Sequence, residues 1–120
     1  MSMEEDLYAA LQSLAAGVVW GGFDDATGFP RITLMRISNL TDYSLKGRAD
    51  VETARVQIDV YSKDADEVLA LGPLVSKTLT DLRGGSVIRI KELSRRDSAT
   101  ETGGDVIRQQ VLDMQVRYRA

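Results

Sequence analysis

The chain opens with apolar residues that recur at intervals of three and four positions between residues 3 and 16. This spacing places them on one side of a helix and predicts a helix with one buried face. Ser2 can cap its first turn, where three acidic residues follow, and Gly17 can end it in a left-handed conformation. The apolar residues of this stripe are Leu7, Ala10, Leu11, Leu14 and Ala15.

A second helical stripe lies in the middle of the chain and consists of Val68, Leu71, Val75, Leu79 and Leu82. Asp64, followed three positions later by Glu67, predicts a capping box at its start, and Gly84-Gly85 predict its end. Because an internal proline removes a backbone hydrogen bond, Gly72-Pro73 predict a kink near residues 69–73 or two helical pieces.

Strict alternation of apolar and polar residues predicts a strand over residues 54–62. One face carries Val56, Ile58 and Val60, and the other carries Arg55, Gln57, Asp59 and Tyr61. Similar patterns and β-branched residues predict strands at residues 18–20, 32–40, 87–93 and 106–118. We expect the apolar face of the central strand to form the core with Leu112, Met114 and Val116.

Three polar or glycine-rich stretches, residues 21–30, 41–50 and 94–104, predict loops, the last as a long, mobile hairpin connection. The element order is therefore α-β-β-β-α-β-β within one domain spanning residues 1–120. This order predicts an α+β fold, with an antiparallel or mixed sheet of about five strands and two helices packed on one face.

The composition excludes most catalytic chemistry. The 120 residues include no cysteine and no histidine, so thiolate nucleophiles, Cys-type zinc sites and the commonest general base are missing. A net charge of −3 disfavours nonspecific DNA binding. The acidic amino terminus and the lack of a long apolar run predict a cytoplasmic product with no membrane span.

The few remaining chemical patterns favour structural explanations. Asp24 and Asp25 precede Gly28 without the alternating oxygen ligands of a calcium loop, so we interpret them as turn residues and expect no metal and no cofactor. Lys91, Arg95 and Arg96 form a basic cluster that favours a solvated or interface-lining strand end over a contact with DNA.

The polar face of the 54–62 strand leaves two interpretations open. Arg55, Gln57, Asp59 and Tyr61 form either a solvated sheet surface or a subunit interface, since Tyr and Arg often anchor contacts. Trp20, beside Phe23 and the Gly21-Gly22 turn, is interpreted as a hydrophobic plug at the sheet end, with an exposed docking anchor as the alternative.

The whole chain from about residue 3 to residue 118 resembles the small tail-completion proteins, also called tail-terminator or head–tail joining proteins, of long-tailed bacteriophages and prophages. The residues that carry the resemblance are the opening helix with its M-E-E-D-L-Y-A-A-L string, the V-V-W strand, the glycine-rich loop ending in Pro30, and the strand R-V-Q-I-D-V-Y. Arg31 after Pro30 and the Gly72-Pro73 interruption depart from the expected pattern.

This resemblance implies a structural virion protein of the tail, present in the host cytoplasm during assembly, and no enzyme activity. It implies a homo-oligomeric ring, a hexamer, that caps the head-proximal end of the tail tube, stops its elongation and joins the tail to the head connector. The implied partners are further copies of the chain, the tail-tube protein and the head-connector protein, while DNA only passes through the lumen. Six copies at −3 each would carry −18, which suits a lumen in which DNA slides.

The candidate docking surfaces are the segments 41–50 and 94–104. Exposed sheet edges could also pair between subunits. The candidate interface residues in these segments are Tyr43, Lys46 and Arg48 in the first and Arg95 and Arg96 in the second. The alternatives are another head–tail connector or tail-tube subunit, a generic small α+β binding module, and an enzyme that uses only Asp, Glu, Lys, Tyr or Ser, for which the sequence offers no site.

Overall fold

The computed structural model describes the backbone of residues 2–15, 17–21, 30–44, 47–102 and 105–119, with side chains except at 42–44, 47–49, 100–102 and 105. The elements in chain order are α1 Met3–Leu11, β1 Gly17–Trp20, β2 Arg31–Ser44, β3 Gly47–Ser62, α2 Ala65–Thr80, β4 Val87–Thr102 and β5 Asp105–Arg119. The five strands form one sheet in the order β1-β2-β3-β5-β4. Only β1 and β2 run parallel, so the sheet is mixed. The predicted α+β class and element order are confirmed.

The core lies between one face of the sheet and the two helices. Val56, Ile58 and Val60 are fully buried, as are Leu112, Met114 and Val116 on the neighbouring strand. The register pairs Ile58 with Leu112 and Val56 with Met114, which confirms the predicted core. Met3, Leu7 and Leu11 of α1 and Val75 and Leu79 of α2 complete it. We call this side of the sheet the helix face and the opposite side the outer face.

The segments predicted as loops at 41–50 and 94–104 are largely strand, which corrects both predictions. β2 and β3 stay paired up to Ser44 and Gly47, and β4 and β5 up to Thr102 and Asp105. Backbone hydrogen bonds hold a two-stranded ladder even where both faces are polar, so the hydrophobic alternation ends before the strands do. Residues 45, 46, 103 and 104, and 22–29 of the third predicted loop, lie outside the described residues.

Both helices differ from prediction at a boundary. Ser2 caps α1 as expected, accepting a hydrogen bond from the Glu5 backbone N–H at 3.2 Å, but the helix ends at Leu11 and not at residue 16. α2 is one helix over residues 65–80 with Pro73 inside it, so of the two predicted alternatives, a kink or two helical pieces, the second is wrong; the helix also ends before the predicted Gly84-Gly85 stop. Gly72 has no Cβ to clash with the proline ring, which makes a helical conformation before proline accessible.

The start of α2 departs from the predicted capping box. Asp64 Oδ1 accepts from the Asp66 backbone N–H at 3.0 Å and so caps the helix. The Glu67 carboxylate accepts instead from the Ser62 hydroxyl, and Ser62 Oγ accepts from the Asp64 backbone N–H at 3.1 Å. The end of β3 therefore supplies the second cap that the sequence assigned to Glu67.

A glycine turn joins α2 to β4 and is held by a buried carboxylate. Gly84 and Gly85 adopt φ of 104° and 57°, which favours glycine. Asp6 of α1 reaches this turn and accepts from the Ser86 backbone N–H at 2.9 Å and from the Ser86 hydroxyl at 2.6 Å. These bonds, the hydroxyl first, hold the pKa of the Asp6 carboxyl below its usual range. The buried carboxylate thus ties the first helix to the β4 side of the sheet.

Candidate interaction surfaces

The polar column of β3 lies on the outer face, where adjacent strands carry mainly polar partners. Gln57 Nε2 donates to Asp59 Oδ1 at 3.2 Å, and the Tyr61 hydroxyl donates to Asp59 Oδ2 at 3.4 Å. Arg55 Nη2 lies 3.1 Å from Asp113 Oδ2 on β5. The four predicted residues therefore lie in one column and form two hydrogen-bonded groups, one around each carboxylate.

Tyr61 is a half-buried member of this column. Burial raises the pKa of its hydroxyl, and the nearby Asp59 carboxylate raises it further. The hydroxyl stays protonated at neutral pH and accepts a hydrogen bond from Gln109 Nε2 at 3.4 Å. The Tyr61 hydroxyl therefore serves in this column as a hydrogen-bonding group.

The outer face is basic although the chain is acidic overall. Register pairs share a face, and the pairs between β3, β5 and β4 place the exposed Arg55, Arg89, Lys91, Arg96, Arg117 and Arg119 on this side. Among the described side chains of β3, β4 and β5, the acidic ones on this face are Asp59 and Asp113. Sequence reasoning noticed the cluster on β4 but missed its continuation on β5, because only the strand order brings the two together.

The structure separates the two basic residues that the sequence grouped. Arg95 pairs in register with Leu112 and lies on the helix face, whereas Arg96 pairs with Val111 and lies on the outer face. Arg95 Nε is 3.5 Å from Glu92 Oε1. The shift between Glu92 and Ser94 sets which face each residue takes, since a bulge reverses the alternation.

The other predicted interface residues belong to the far end of the β2–β3 hairpin. Tyr43 and Arg48 are paired in register, and their side chains, like Lys46 itself, lie outside the described residues. This hairpin extends past β5, whose last register pair with β3 is Val51 with Arg119.

The β4–β5 hairpin extends beyond the other end of the sheet. The last register pair of β3 with β5 on that side is Ser62 with Arg108, so residues 105–107 run past β3. The two hairpins therefore project in opposite directions, and the described chain measures 57 × 23 × 22 Å. The described parts of the two hairpins that project beyond the sheet lie at opposite ends of the protein, whereas Arg95 and Arg96 lie within the sheet, level with Ile58 and Asp59.

A shallow depression lies where α1 meets the β1 edge of the sheet, lined by Glu4, Glu5, Tyr8, Ala9 and Trp20. Trp20 packs against the core and donates its indole N–H to the Glu4 carbonyl oxygen at 3.0 Å. Glu4 also pairs with Arg36 of β2. The half-buried Trp20 thus serves as the predicted plug while one part of it lines the surface; Phe23 lies outside the described residues.

Within the described ranges, no group of three or more acidic side chains converges to hold a metal ion. No described helix combines the length and the apolar character that crossing a bilayer requires. What the described surfaces offer is backbone edges, hydrogen bonds and charge, which are the means of protein–protein contact.

Comparison with known proteins gives a family and a fold. The family model described as "Tail completion protein gp17" matches residues 6–119. A chain of the solved structure "Virion of native gene transfer agent (GTA) particle" superposes with a TM-score of 0.64 at 16% identity, covering 95% of this chain and 84% of that chain. No curated protein matches the sequence. The structural likeness supports the fold, and the family match covers nearly all of the chain.

Proposed function

Since this chain belongs to the gp17 family of tail completion proteins and is a structural protein of the virion tail, we propose that it acts as a ring that ends the tail. The ring, a hexamer, caps the head-proximal end of the tail tube, stops elongation and joins the tail to the head connector. The chain has no enzymatic role in this proposal. The observation that carries it is the family match over residues 6–119.

The positions of the two hairpins support a protein that connects two different partners. The β2–β3 hairpin, with Tyr43, Lys46 and Arg48, and the β4–β5 hairpin extend from opposite ends of the sheet. One end can contact the tail tube while the other contacts the head connector. Arg55, Gln57, Asp59 and Tyr61, with Arg96 beside them, provide a further contact surface on the outer face.

In this proposal the free subunit is a monomer or a small oligomer. Rings that closed before the tube was complete would leave fewer subunits available to cap the tube. Docking on the tube end then supplies the contacts that complete the ring. DNA passes through the lumen and is not bound in a sequence-specific way. A tail-tube subunit would instead polymerise without limit, so mass measurements over a concentration series separate these two functions.

Deletion of the gene in a phage or prophage that encodes the chain, followed by electron microscopy, tests the function. We expect overlong tails or unjoined heads and tails, and rescue by the wild-type protein supplied in trans. Normal infectious particles from the deletion would overturn the proposal.

Charge removal tests the docking segments separately. Lys46→Ala/Arg48→Ala and Arg95→Ala/Arg96→Ala should both fold, as judged by melting, but should impair the joining of heads and tails. Normal particles from both variants would exclude these segments as the docking surfaces and leave the tail function in place.

A further inference from the structure

We propose that neighbouring subunits join edge to edge, with the β4 edge of one copy against the β1–β2 edge of the next, and with Arg95 of the first seated in the Glu5–Tyr8–Trp20 depression of the second. This inference rests on the proposed ring, because it names the surface by which its subunits meet. The interface is head-to-tail, and such an interface closes into a ring when the rotation between neighbours divides a full turn, as the proposed ring requires.

Both edges of the sheet have unpaired backbone groups among the described residues. Beyond Val87, whose backbone bonds to Gly84, the described part of β4 pairs with no strand other than β5, so its other side forms an open edge along residues 88–102. β1 covers β2 only up to Leu34, which leaves the following half of β2 without a described second neighbour. Exposed apolar side chains mark these stretches: Met35, Ile37 and Leu40 on β2, and Leu93 on β4. Free edges of this length form additional strand pairs readily.

One row of residues crosses all five strands and connects the two edges. Register partners run from one edge to the other in the order Trp20, Leu34, Ile58, Leu112 and Arg95. Register partners share a face, so Trp20 and Arg95 both lie on the helix face, at opposite ends of the same row. If the rotation axis of the ring runs parallel to the strands, this row of residues stays at the same height along the axis in every copy. This arrangement therefore brings Arg95 of one copy beside Trp20 of the next.

The strand directions suit this contact. β4 is antiparallel to β5, β5 to β3, and β3 to β2, so β4 runs opposite to β1 and β2. Rotation along the strand axis keeps these directions, and the edges of two neighbouring copies meet antiparallel. The β4 bulge lies between Glu92 and Ser94, whose register partners on β5 are Met114 and Asp113. Through β3, this level of the sheet corresponds to Met35 of β2, the first residue of β2 that is not paired with β1. A bulge bends its strand, so β4 can pass from the β2 edge to the β1 edge there.

The chemistry of the two sites is complementary. The depression presents the Glu5 carboxylate together with the Tyr8 and Trp20 rings, and Tyr8 is 43% exposed. A guanidinium group binds a carboxylate and stacks on an aromatic ring at the same time. Among the described residues of its own subunit, Arg95 has one polar contact, at 3.5 Å to Glu92, which leaves guanidinium donors for a neighbour.

Thiol cross-linking tests this contact directly, because the natural chain has no cysteine and only introduced thiols can react. Ala9→Cys lies in the depression, and Asp97→Cys lies on the β4 edge, on the helix face two residues beyond Arg95, so Arg95 itself stays in place. A short bismaleimide added to particles carrying this double variant should give a ladder of covalent oligomers that ends at the ring size. The matched control is Ala9→Cys/Ser98→Cys, in which the second thiol lies next along β4 but on the outer face; it should give no ladder.

Charge reversal provides a second test. Glu5→Arg and Arg95→Glu should each lower complementation at least tenfold, and the double variant should restore it. Lys77→Glu, on an exposed part of α2, makes the same change of charge as Arg95→Glu and should complement like wild type. Single variants without effect, or a double variant no better than the singles, would overturn the contact.

The outcomes separate this inference from the proposed function. Normal tails that contain the double-cysteine protein but give no ladder overturn the edge contact alone. Normal tails after gene deletion overturn the tail-ending function.

Discussion

Gly72 of α2 packs directly on the side-chain amide of Gln110 of β5. A Cβ at position 72 would lie 1.5 Å from Gln110 Oε1 and 2.5 Å from Cδ. Gln110 is buried and donates from Nε2 to Asp97 Oδ1 at 2.9 Å, so its amide has a fixed orientation. Gly72 therefore leaves room for the Gln110 amide in its observed position, where helix and strand approach closely.

The first prediction is that Gly72→Ala destabilises the protein. Alanine favours a helix interior over glycine by about 1 kcal/mol, but overpacking costs about 1–3 kcal/mol, and the clash with Gln110 should dominate. We expect a net loss of up to roughly 2 kcal/mol in urea unfolding. Gly72→Ala/Gln110→Ala should recover part of it. A single variant more stable than wild type would contradict the packing.

The second prediction concerns pH. The pKa of Asp6 lies below its usual value in the folded protein, so this carboxylate stabilises the fold above its unfolded pKa, and the contribution is lost as pH falls through the folded pKa. Asp6→Asn should cost about 1–3 kcal/mol at pH 7. The difference from wild type should shrink below about pH 4. Unfolding curves at pH 7 and pH 3 measure it; a difference that grows on acidification would refute the assignment.

The third prediction is that Ile58→Asp abolishes folding, because it buries an unpaired charge at the centre of the core. Gln115→Asp, on the outer face, is the matched control and should melt cooperatively. Circular dichroism during heating distinguishes the two. A soluble Ile58→Asp protein with a midpoint near that of wild type would show that the core is assigned wrongly.

The fourth prediction is that chelation leaves the protein unchanged. The described acidic side chains do not converge, and the sequence lacks histidine and cysteine. The melting temperature should therefore be the same with and without a chelator. Loss of stability that one particular divalent ion reverses would overturn the turn interpretation of Asp24 and Asp25.

Periodicity predicted the part of the fold that the core determines. The alternation of Val56, Ile58 and Val60 identified the buried face, and the apolar spacing of both helices identified their packing sides. Periodicity failed where burial ends, since residues 94–102 form a strand through backbone pairing with β5 and carry polar side chains on both faces. Strand ends of this kind give no hydrophobic signal.

The candidate surfaces were predictable only in part. The β3 column followed from alternation alone, because residues two apart share a face in any unbulged strand. The opposite placement of Arg95 and Arg96, the basic outer face and the row from Trp20 to Arg95 all depend on bulge positions and strand order. These arise from pairing between distant segments, which local patterns do not encode.

The half-buried Trp20 has an optical consequence. It is the single tryptophan of the chain, so the intrinsic indole fluorescence of each subunit arises from one position at the sheet edge. Its ring is held by the bond to the Glu4 carbonyl oxygen and has one part on the surface. A neighbouring subunit seated there would exclude water from the ring and shift its emission to shorter wavelength. Ring closure could then be timed on the unlabelled native protein.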